Sequence, residues 1–129
     1  HGGSQTAVLQ KVAAEVANEL GVRTLVINWW SYTSDVTLEV FKEDGGHAGL
    51  NETAYIQAID PTLVHEERYN PDQATAYPKP CPSSIGLYQE GQGYPNFDQA
   101  QADEYFKKVN AKVAGLIKET IRKWDLAGL

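Results

Sequence analysis

Residues 22–30, VRTLVINWW, decide how the rest of the chain is read. Valine, leucine and isoleucine fill the stretch with little polar interruption, so it lacks the alternation of a strand with one face in water. Its β-branched residues favour extended backbone. Together these features predict a strand buried on both faces, of the kind found in parallel or mixed sheets. The segment before it has a different period. Val8, Val12, Val16 and Leu20 recur every fourth residue, with Leu9 and Ala13 alongside, which predicts an amphipathic helix starting near Ser4 and ending at Leu20. Gly21 is placed to stop it, because glycine takes the left-handed backbone of a helix terminus without strain. A helix feeding a buried strand is half of an α/β repeat.

Downstream, SYTSDVTLEVFKED (31–44) fits two patterns. Val36, Leu38 and Val40 alternate as in a strand, while Val36, Val40 and Phe41 share a helical face, and the helical reading is preferred. NETAYIQAID (51–60) predicts a short helix with Asn51 as its N-cap, ended before Pro61. Five prolines between residues 61 and 82 predict a long irregular excursion, and excursions of that length usually cover a site or form an interface. SSIGLY (83–88) is a short strand candidate and QEGQGYPNF (89–97) a glycine-rich turn. Tyr105, Phe106, Val109, Val113, Leu116, Ile117, Ile121 and Trp124 then mark a long helix from near Asp98 to Trp124, its stripe read as core packing.

With 129 residues, 42% of them hydrophobic, the chain is large enough for one domain with a core. Eleven basic residues against seventeen acidic ones, and a net charge of −6, argue against nucleic acid or an anionic membrane as partner. The basic residues are scattered, and a small molecule or another protein is the expected ligand. The single cysteine, Cys81, has no internal partner for a disulfide, which fits a reducing cytoplasm. No apolar run approaches the roughly 18 residues of a spanning helix, and no charged-then-apolar leader is present. A soluble, cytoplasmic chain is expected.

Two histidines stand in glycine-rich settings. His1 precedes Gly2 and Gly3 at the entrance to the first helix, and His47 lies in DGGHAGLNET (44–53), with Glu52 five residues on. Flanking glycines let backbone approach a ligand closely, and an imidazole in such a place can bind a metal or carry a proton. Trp29 and Trp30 close the expected strand, where ligands of α/β proteins gather, and Tyr94 in GQGYP is a candidate to face a substrate. His65 in LVHEER sits among charges and reads as a solvated residue. DGGHAG and GQG lack the Lys-Ser/Thr or G-x-G-x-x-G arrangement of phosphate loops.

In order along the chain, HGGS entering a helix, the apolar run, HAGLNETA, DPTLV and GQGYP before the last helix resemble the creatininase (creatinine amidohydrolase) family. HAGLNET is similar to the family's HAG-x-x-ET motif. The opening is similar to its GHGGN motif without the first glycine and with Ser4 at the asparagine position. The resemblance implies a three-layer α/β/α sandwich with a mostly parallel sheet, incomplete in this chain. Residues 1–129 would form the C-terminal portion of a single domain, and an N-terminal half would supply the first strands, an E-x-H and an Asp. It implies a metal-dependent hydrolase of a non-peptide C–N bond in a small cyclic amide or formamide. The alternatives are a deformylase acting on a pyrimidine intermediate in cofactor biosynthesis and a non-catalytic binding or assembly protein on the same scaffold. It also implies one or two divalent ions (zinc, manganese or iron) per site and a homo-oligomer, commonly a hexamer. By the same resemblance His1 is a metal ligand, His47 the proton shuttle, and Glu52 either orients His47 or reaches the metal. Creatininase itself has Tyr-Glu where this chain has Gly2 and Gly3; that Glu binds the second metal, and Gly3 has no side chain to replace it.

Overall fold

The structure, a computed structural model, describes residues 4–46, 49–70, 72, 74–75, 88–89 and 96–129. Five α-helices dominate them: α1 (Ser4–Leu20), α2 (Trp29–Tyr32), α3 (Ser34–Phe41), α4 (Leu50–Ile59) and α5 (Gln99–Leu126). Pro61–Leu63 and Glu66–Arg68 form single 3-10 turns. The only strand pairing among the described residues is a parallel ladder of two residues each, β1 (Ala74–Thr75) against β2 (Tyr88–Gln89).

This overturns the expected α/β three-layer sandwich. Residues 22–28 form neither strand nor helix, and Trp29 and Trp30 open α2 instead of closing a strand. A strand exists through its pairing, and among the described residues no second segment lies beside this run in a sheet. Side chains hold the run instead. The Thr24 hydroxyl donates to the Ala13 carbonyl of α1 at 3.1 Å. Arg23 lies 5.9 Å from the centre of the Trp124 ring and 3.6 Å from the Asp125 carboxylate. The apolar composition of the run predicts a preference for burial, which it shares with strands.

Two compact units divide the chain. One comprises His1–Thr33 and Lys112–Leu129. Its α1 ends as the glycine rule requires, with Gly21 at φ +63°. The apolar stripe of α1 is largely in water: Val8, Val12 and Leu20 are 62%, 46% and 66% exposed. Tyr32 receives the Lys112 ammonium 4.9 Å above its ring.

The other unit, Ser34–Ala111, holds every buried hydrophobic residue among those described: Val36, Leu50, Ala54, Ala102, Tyr105 and Val109. Tyr105 is its centre. The ring lies 5.1 Å from Phe41 and 6.4 Å from Tyr55, and its hydroxyl is 3.2 Å from the Thr37 hydroxyl. Tyr55 also packs on Phe106 at 4.8 Å and donates to Asn110 Oδ1 at 2.8 Å. Helices α3 and α4 are thereby fastened to the first half of α5. Lys108 adds exposed ion pairs to Glu39 and Glu104, both at 2.7 Å, which contribute little beside the aromatic burial.

Candidate functional site

Helix α3 stops at Lys42, whose φ of +64° turns the chain out of the helix while its ammonium donates to the Glu39 carbonyl at 2.6 Å. The chain then crosses Gly45 and Gly46 to reach α4. The Gly49 N–H donates to the Gly46 carbonyl at 2.8 Å, and the Gly49 carbonyl accepts the Thr53 N–H at 3.0 Å. Both glycines are buried.

The two glycine contacts are intramolecular. A Cβ on Gly49 would lie 2.5 Å from the Gly46 nitrogen and 2.8 Å from its carbonyl oxygen, both backbone atoms. A Cβ on Gly45 would overlap the carboxamide of Asn51. The sequence assigned this room to a ligand, and at these two positions the protein's own atoms take it. Gly49→Ala is therefore expected to force the backbone apart at the base of the loop, costing about 1–3 kcal/mol. Chemical denaturation of the complete protein checks it, and an unchanged midpoint contradicts the contact.

Asn51 departs from its expected role. The N-cap of α4 is Gly49, extended at φ −84° and ψ −173°, and no side chain caps the helix. The bond between Gly49 and Gly46 starts the helix two residues earlier than the pattern suggests. Asn51 turns inward over Gly45, 1% exposed, and its Oδ1 accepts no hydrogen bond. Nothing in the sequence marked it, since an asparagine at a helix start normally reads as a cap.

Glu52 follows in the first turn of α4, half-buried, where a carboxylate is favoured by the unsatisfied N–H groups of the helix end. His1, His47 and Tyr94 lie outside the described residues. Trp29 is half-buried, and its carbonyl accepts the Thr33 N–H at 2.9 Å and hydroxyl at 2.8 Å; Trp30 is exposed at 37%. The tryptophans belong to the first unit and Glu52 to the second. His65 is exposed and 3.0 Å from Glu67, in keeping with a solvated residue. A backbone hydrogen bond and this histidine lower the Glu67 pKa.

Glu52 is the only expected metal donor that is described, and no three His, Cys, Asp or Glu side chains converge among the described residues. Those residues alone do not make a metal centre. No helix among them is long and apolar enough to cross a membrane.

No curated protein and no solved structure matches the chain. The family model Creatininase, described as creatinine amidohydrolase, matches residues 1–116, nearly the whole sequence, including both the HGG opening and HAGLNET. That family is generally metal-dependent. The chain belongs to the creatininase family, a family of amidohydrolases.

Proposed function

We propose that this chain supplies the proton-transfer part of a metal-dependent amidohydrolase acting on a non-peptide C–N bond, in a small creatinine-like cyclic amide or a formamide. The family match carries the reading, and HAGLNET (47–53) supports it by falling at the loop-to-helix junction whose flanks, Gly46 and Gly49, are hydrogen-bonded to each other. Hydrolysis adds water to the carbonyl carbon and releases the nitrogen as an amine, which leaves only when protonated. His47 delivers that proton, a task suited to a group whose ordinary pKa is about 6.5. Glu52 either holds the imidazole or joins the metal. His1 is a ligand of the divalent ion, which when bound supplies Lewis acidity. The remaining ligands come from the N-terminal half of the same domain, and the working protein is a homo-oligomer.

In the complete protein, His1→Ala is expected to lower metal content and turnover together. Elemental analysis per chain checks this, and full occupancy in the variant removes His1 from the metal. Glu52→Gln separates its two roles: metal falls if the carboxylate is a ligand, and stays while kcat falls if it only orients. Preference for an N-formyl substrate over creatinine would select the deformylase reading. One observation favours a binding or assembly protein instead: Gly3 offers no carboxylate where creatininase has a glutamate. Substrate turnover by the complete protein decides against that reading, and binding without turnover decides for it.

A further inference from the structure

We draw no further inference here: the strongest candidate, the exposed apolar stripe of Val8, Val12, Val16 and Leu20 along α1, carries nothing because nothing in the structure shows what covers it.

Discussion

His47→Ala in the complete protein is expected to lower kcat by about 10²–10⁴-fold, the range for loss of a general acid or base, with metal content nearly unchanged. The loss should shrink for substrates whose leaving group departs without a proton. This dependence separates proton delivery from damage to the fold, because a disordered loop lowers turnover of every substrate alike. It also separates His47 from His1, whose removal is expected to lower metal and activity together. Equal loss across leaving groups would remove His47 from the proton-transfer step.

Tyr105→Ala is the largest expected effect on stability, about 3–5 kcal/mol by the measure of buried aromatic truncations. Tyr105 is 0% exposed, between Phe41 and Tyr55, with its hydroxyl beside Thr37. Alanine leaves a cavity where α3, α4 and α5 meet. Tyr105→Phe, which keeps the ring, should cost only about 1 kcal/mol. Chemical denaturation distinguishes the two, and equal losses would mean that the hydroxyl contact outweighs ring packing.

The helices were legible because their signals are local. The four-residue spacing of Val8, Val12, Val16 and Leu20 and the left-handed Gly21 account for α1 from Ser4 to Leu20. The helical choice for Val36, Val40 and Phe41 agrees with α3, and the long stripe through Trp124 agrees with α5. The sheet was misread because strand pairing is not local. Residues 22–28 carry strand-like composition, but a ladder needs a neighbour that composition does not specify. Exposure of the α1 stripe was equally hidden, since periodicity names the apolar face without naming what covers it.

At the site, HAGLNET was legible as a motif, and the HGG opening with it. The sequence did not show that Gly45 and Gly49 are required by Asn51 and Gly46, because those contacts form only when the loop closes on α4. Nor did it show that Asn51 turns inward. An N-cap and a buried acceptor look the same in one dimension.

The most direct measurement is metal-dependent turnover of the complete protein in ¹⁸O-labelled water, using creatinine and an N-formyl aromatic amine. The chelated protein should be inactive, and a divalent ion should restore cleavage with one solvent oxygen in the carboxylate product. Turnover that survives complete removal of metal, or metal-loaded protein that binds these amides without breaking the C–N bond, would contradict the account.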